Sequence, residues 1–209
     1  MIYSLKHLER LYGGNEMAKF VSADYHLGHE GIIASCGRPW KNAHAMEKAI
    51  VSNHNSVIGD DDDLYLAGDL SLATKSHRGS LENMIRKLKG RIHLILGNHD
   101  IRDPRFWSEL GIWSIHYPYL EVDEFVIVHD PALSAVDRKR PFICGHVHEL
   151  FTFKKNVYNA GIDVAEGYKP IPLNDIRHFF IETAHDEPDH ITVDKKYIDM
   201  MKQNLVMES

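Results

Sequence analysis

Five short clusters hold most of the chemistry this sequence offers: Asp24-Tyr25-His26, Gly68-Asp69, Gly97-Asn98-His99-Asp100, His129-Asp130 and Gly145-His146-Val147-His148. Together they supply carboxylate, imidazole and amide oxygen donors. That mixed oxygen–nitrogen set suits manganese, iron, zinc, nickel or cobalt. Glycines stand directly before Asp69, Asn98 and His146, where a residue without Cβ lets the chain turn sharply and approach an ion or phosphate. A lone histidine or aspartate at such a place ordinarily packs, or caps a turn. Five clusters in succession point to a metal centre instead.

Each cluster ends an apolar run of strand character: KFVSAD, LYLAGD, HLILGNHD, FVIVHD and PFICGHVH. Open α/β sheets gather their ligands at strand ends. The patterning predicts strands over Met17–Asp24, Leu64–Ala67, Arg91–Leu96, Phe125–Val128, Phe142–Cys144, Asn156–Ala160 and His178–Glu182. It predicts one helix over Lys41–Ile58 and a second capped by Ser80 that runs to Lys89 and stops at Gly90. Asp103-Pro104 opens a short third helix. Asp60–Asp63 reads as a solvated acidic turn, since it lacks the glycine and distal glutamate of a calcium loop. Early strand–helix alternation followed by strands predicts an α/β sandwich, with one mixed sheet or a pair of sheets flanked by helices. Residues 1–16 end in Gly13-Gly14-Asn15 and read as a flexible leader. Residues 17–183 form the domain, and 184–209 a polar tail packed on it.

The chain has 209 residues, 44% hydrophobic and 26% charged, enough for a core without disulfides. Lys and Arg number 24 against 30 Asp and Glu, a net charge of −6. That excludes coating nucleic acid through a broad basic face, and no stable nucleic-acid complex is expected. Cys36 and Cys144 form no CxxC pair and are expected as reduced thiols of a cytoplasmic protein. No apolar run reaches the ~18–20 residues of a membrane helix, so no membrane partner is expected. Trp40, Trp107 and Trp113 are expected in the core.

The ordered series DxH, GD, GNHD, H and GHxH, spanning residues 24–148, resembles the calcineurin-like metallophosphoesterase superfamily. The stretches DYHLGHEGII, CGRPW and NAGIDVAEGYKPI resemble its small bacterial and phage branch. The resemblance implies two mixed β-sheets flanked by α-helices. It also implies a dinuclear centre: Asp24, His26 and His148 on one divalent ion, Asn98, His129 and His146 on the other, and Asp69 bridging. A bridging hydroxide would attack phosphorus in line. Manganese is the first choice of metal, with iron, nickel, cobalt, zinc or magnesium as others. His99 would touch the phosphoryl oxygens and protonate the leaving group, with Asp100 holding its imidazole. His29, in the same loop as His26, and Arg38, whose fork matches phosphate oxygens, are candidate substrate contacts. The expected activity is hydrolysis of a phosphodiester or small phosphoester, nucleotide-type substrates included. A protein serine/threonine phosphatase is one alternative, weakened because Gly68-Asp69-Leu70-Ser71-Leu72-Ala73-Thr74 lacks the arginine of GDxxDRG. The other is a non-catalytic scaffold that keeps the fold.

Overall fold

Apolar residues alternate in the direction they face along short strands, and this alternation builds three layers of core. A computed structural model describes residues 17–72 and 78–183; the leader at 1–16 and the tail at 184–209 lie outside the described residues. The first sheet joins β1 (Lys19–Ser22), β2 (Asp63–Leu66), β3 (Arg91–Ile95), β4 (Ser114–His116) and β10 (Ile171–Pro172) in the order β10-β1-β2-β3-β4. Strands β1 to β4 run parallel, while β10 is antiparallel to β1. The second sheet joins β5 (Tyr119–Val122), β6 (Phe125–Val128), β7 (Phe142–Cys144), β8 (Phe153–Lys154) and β9 (Val157–Asn159) in the order β5-β6-β7-β9-β8. Its inner strands β6, β7 and β9 are parallel, and both edge strands are antiparallel. The result is the α/β arrangement of two mixed sheets flanked by helices.

Period-two alternation decides which residue enters which layer. Leu64, Leu66, Ile92 and Leu94 face the helices α2 (Ala43–Asn55), α3 (Arg78–Ile85) and α4 (Pro104–Glu109), through Met46, Ile50, Leu81, Ile85, Phe106 and Trp107. Their neighbours Val21, Tyr65 and Ile95 face the other way, against Phe125, Ile127 and Ile143 of the second sheet. Val126, Val128, Phe142 and Cys144 cover the far side, under Leu133 of a short 3₁₀ turn. Strands buried on both faces read as continuous apolar runs, which is why β2, β6 and β7 stand out in the sequence.

The helix signals hold where they rest on capping chemistry. Asn42 caps α2 by accepting from the Ala45 amide, and Asp103 caps α4 by accepting from Arg105, with Pro104 in the first turn. Elsewhere the structure differs from expectation. The helix expected to begin at Ser80 includes Arg78–Ile85, so Ser80 lies within it. His178–Glu182 is not a strand but part of α5 (Leu173–Thr183). Leu173 and Ile176, one helical turn apart, are its buried residues, and Phe180 packs against the same cluster. Three adjacent apolar residues, Phe179 to Ile181, imitate a strand when that wider period is overlooked. Asp63 is no part of a solvated turn. It lies on β2, 8% exposed, with its carboxylate taken by Arg91 at 2.8 Å and His93 at 3.1 Å. Trp107 is core, whereas Trp113 is 65% exposed under the Arg91 guanidinium. A short helix α1 (Glu30–Ser35) and strands β4, β5, β8 and β10 were not expected. They are two to six residues long, too short for a clear period. No helix among the described residues is long and apolar enough to cross a membrane.

Candidate metal centre

Strand ends from both sheets meet at one edge of the sandwich. Asp24 and His26 follow β1, Asp69 follows β2, Asn98 follows β3, His129 follows β6, and His146 and His148 follow β7. The loops run side by side. The Asp24 amide donates to the Gly68 carbonyl, that of His26 to Asp69, and that of Leu27 to Leu70. The His146 amide donates to the Asp24 carboxylate at 3.0 Å, which joins the second sheet's loop to the first.

Backbone strain concentrates here. Eight described non-glycine residues have positive φ, and five of them are candidate ligands: Asp24, His26, Asp69, His146 and His148. Such conformations cost roughly 1–3 kcal/mol each and persist where function selects them. The glycines allow equally close contacts. A Cβ on Gly68 would enter the His129 ring, and one on Gly97 would enter the Asp69 carboxylate and amide.

The donor atoms fall into two groups that share Asp24, and Asp69 lies between His26 and His129. Donor atoms of Asp24, His26 and His148 lie within 4.8 Å of one another, as do those of Asp24, Asp69 and His129. Asp69 Oδ2 is 3.5 Å from His26 Nε2, and Asp69 Oδ1 is 3.5 Å from His129 Nε2. Asn98 Oδ1 lies 2.8 Å from His129 Nε2 and 2.9 Å from His146 Nδ1. All seven expected ligands are therefore gathered in one place.

The chemistry of these donors fits a cation. His129 Nδ1 donates to the Ala67 carbonyl at 2.9 Å, and burial lowers the proton affinity of the ring. The neutral ring then carries a lone pair on Nε2, aimed at the oxygens of Asn98 and Asp69. Converging lone pairs are stable only around a positive ion. His26 Nε2 is fully buried without a hydrogen-bond partner, an arrangement that is expensive unless something ligates it. Burial pushes the ring's pKa down to about 2, with His148 and Arg38 adding to it. Burial likewise pushes the Asp24 carboxyl up to about 8. A divalent ion would take the lone pair of the neutral His26 ring and balance the charge of the Asp24 carboxylate.

Two expected roles are corrected. Arg38 is 4% exposed and does not face substrate. Its Nε and Nη2 donate to Asp163 at 2.8 and 2.9 Å, and it also donates to the carbonyls of Asp24 and Tyr25. The fork that matches phosphate is filled by a carboxylate from 125 residues away. Asp100 does not hold the His99 ring. It accepts from the amides of Gly97 and Asp69, both at 2.8 Å, and so fixes two ligand loops. His29 does reach the site: its Nδ1 is 3.2 Å from His26 Nδ1, and its ring centroid is 6.0 Å from that of His99.

Sequence reasoning missed two residues. Asp163 accepts from His148 Nδ1 at 2.8 Å, which turns the other ring nitrogen toward the site and raises the ring's basicity. Asn159, fully buried, donates to the carbonyls of His148 and Phe151 and accepts from the Gly161 amide. Both stand in NAGID, a stretch that the sequence offers only through the family resemblance, with no local signal for either role. Cys36, His148 and Asp163 also lie close together. There the carboxylate is already engaged by Arg38 and His148, and burial with Asp163 pushes the Cys36 thiol up to about 12.

No family model matches the sequence. The chain is 30% identical over 163 residues to the uncharacterized protein MJ1445 of Methanocaldococcus jannaschii, covering 74% of this chain and 86% of that protein. A solved protein of unknown function, AQ665 of Aquifex aeolicus, superposes with a TM-score of 0.63 at 21% identity, over 78% of this chain and 100% of that one. That likeness is one of fold. The phosphopantetheinyl hydrolase of Mycobacterium tuberculosis overlaps 51% of this chain and 38% of its own, at 22% identity and a TM-score of 0.28, too little to bear on either fold or function.

Proposed function

The chain belongs to the same family as the uncharacterized Methanocaldococcus jannaschii protein, and we propose that it is a metal-dependent phosphoesterase of the calcineurin-like metallophosphoesterase type. The observation that carries the proposal is the Asp69 carboxylate, with one oxygen 3.5 Å from His26 and the other 3.5 Å from His129. Asp24, His26 and His148 would hold one divalent ion, and Asn98, His129 and His146 a second, with Asp69 shared. Manganese is the first candidate. Two such ions supply Lewis acidity toward a phosphoryl oxygen and a nucleophile drawn from water.

The chain's own residues do the rest. The buried carboxylates and imidazoles exclude water from the inner side. His99, whose side chain is 38% exposed and 3.9 Å from Asp69, stands at the open side, where it can protonate a leaving alkoxide. His29 stands beside it as a substrate contact. The substrate is a phosphodiester or small phosphoester.

The test is metal analysis of the purified full chain, with turnover of bis-p-nitrophenyl phosphate, the matching monoester and a phosphoserine peptide. Two ions per chain are expected, with activity lost to a chelator and the diester favoured over the phosphopeptide. Asp69→Ala should lose both ions. His99→Ala should keep them and lose ~10²–10³-fold in rate. One ion or none in active protein, or a phosphopeptide turned over about tenfold better than the diester, overturns the proposal.

A further inference from the structure

Unlike Arg38, Arg102 is exposed beside the candidate centre. A cleft leaves the second half of the metal centre at Asn98, His129 and His146 and continues past Arg102, Tyr117, Pro118 and Leu133. It lies outside the carboxyl ends of the parallel strands, where open α/β sheets hold ligands. Arg102 is exposed, and among the described residues no ion pair joins it to a carboxylate. Its guanidinium lies over the Tyr117 ring, 4.6 Å from the centroid. Stacking on an aromatic face restrains the side chain and leaves its in-plane N–H donors open to an anion. Asp130 also lines the cleft, but its Oδ1 accepts from the Ala132 amide at 2.8 Å as a helix cap.

We infer that this cleft is an anion subsite, with Arg102 binding a second negative group of the substrate beside the phosphoryl group at the metal centre. The inference rests on the phosphoesterase reading and narrows it. The substrate class is a phosphoester whose alcohol or second phosphoryl substituent carries a further carboxylate or phosphate. The ring of Tyr117, Pro118 and Leu133 offer apolar contact to the atoms between the two anions.

The test uses non-hydrolysable probes, so that it does not depend on turnover. Binding of phosphonoacetate and of methylphosphonate to the manganese-loaded full chain is measured calorimetrically. The wild-type chain should prefer phosphonoacetate by about tenfold, the weight of one charge-assisted contact. Arg102→Gln should bring the ratio near one, and Arg102→Lys should fall between. Arg105→Gln, which alters an arginine that does not line the cleft, should leave the ratio unchanged. No preference in the wild-type chain, no binding of either probe, or a ratio indifferent to Arg102→Gln overturns the inference. The hydrolysis assay above decides the phosphoesterase reading separately. Turnover with no Arg102 dependence removes only the subsite, while Arg102-dependent binding without turnover removes only the enzyme.

Discussion

Asp163 accepts from two partners and touches one half of the candidate metal centre without touching the other. Arg38 closes its fork on one side and His148 donates on the other, both in a region where the Arg38 side chain is fully buried. Groups that orient a ligating histidine typically contribute 10–100-fold to metal affinity. Asp163→Asn should therefore weaken one ion by about that factor and leave the ion held by Asn98, His129 and His146 in place. Stoichiometric metal titration checks this; equal loss of both ions would show a general collapse instead. Asp163→Ala should cost more, about 3–5 kcal/mol of stability, because the guanidinium is left buried without a counter-charge. The seven candidate ligands, which the fold brings together, were legible from the sequence because each stands out by chemical type beside an apolar run. Asp163 was not, because what identifies it is contact with Arg38 across 125 residues. Arg38 itself was misread for the same reason: a guanidinium fits phosphate and carboxylate alike, and only the fold shows which one it meets.

The elements were legible in proportion to their burial. Strands β6 and β7 carry apolar residues on both faces and match the expected spans residue for residue. The two-residue strands β8 and β10 carry no such pattern. Helix α5 was misassigned because a cluster of neighbouring aromatics outweighed the helical spacing of Leu173 and Ile176. The loops after the strands follow a different logic, since their geometry depends on glycines that admit close contact. Gly97 has ordinary backbone angles but no room for a Cβ, which would meet Asp69. Gly111 is the opposite case, at φ 94° with open space around it. Gly97→Ala should thus displace Asp69 and sharply lower the content of both ions. Gly111→Ala should cost only the left-handed backbone penalty of about 1–2 kcal/mol, with metal content intact. Paired thermal melts and metal analyses separate the two, and full metal occupancy in Gly97→Ala would show that the loop can yield.

At the scale of the whole molecule, the candidate centre lies where loops of the two sheets meet, so an ion held there would fasten one sheet to the other. Asp24, His26, Asp69 and Asn98 come from the ends of β1, β2 and β3, while His129, His146 and His148 come from β6 and β7. The strand order that brings them together, with β10 returning beside β1 and β9 beside β7, could not be read from local patterns, because pairing between distant strands leaves no periodic trace. Five candidate ligand residues are held in left-handed backbone, and the ring nitrogens of His129 and His26 face carboxylate and amide oxygens. An ion bound only by the native arrangement would offset both costs. Each site filled at 100 times its dissociation constant contributes ~2.7 kcal/mol, so two contribute about 5. At ~2–4 °C per kcal/mol for a chain of this size, manganese should raise Tm by about 10–20 °C over the chelated protein. The rise should continue with the logarithm of free metal and should flatten in Asp69→Ala, whose two half-sites no longer share a ligand. A Tm indifferent to manganese would mean that the sheets hold the ligands in place unaided. The strain at the strand ends would then be carried by the sandwich core, and Asp69 would contribute nothing to joining the two sheets.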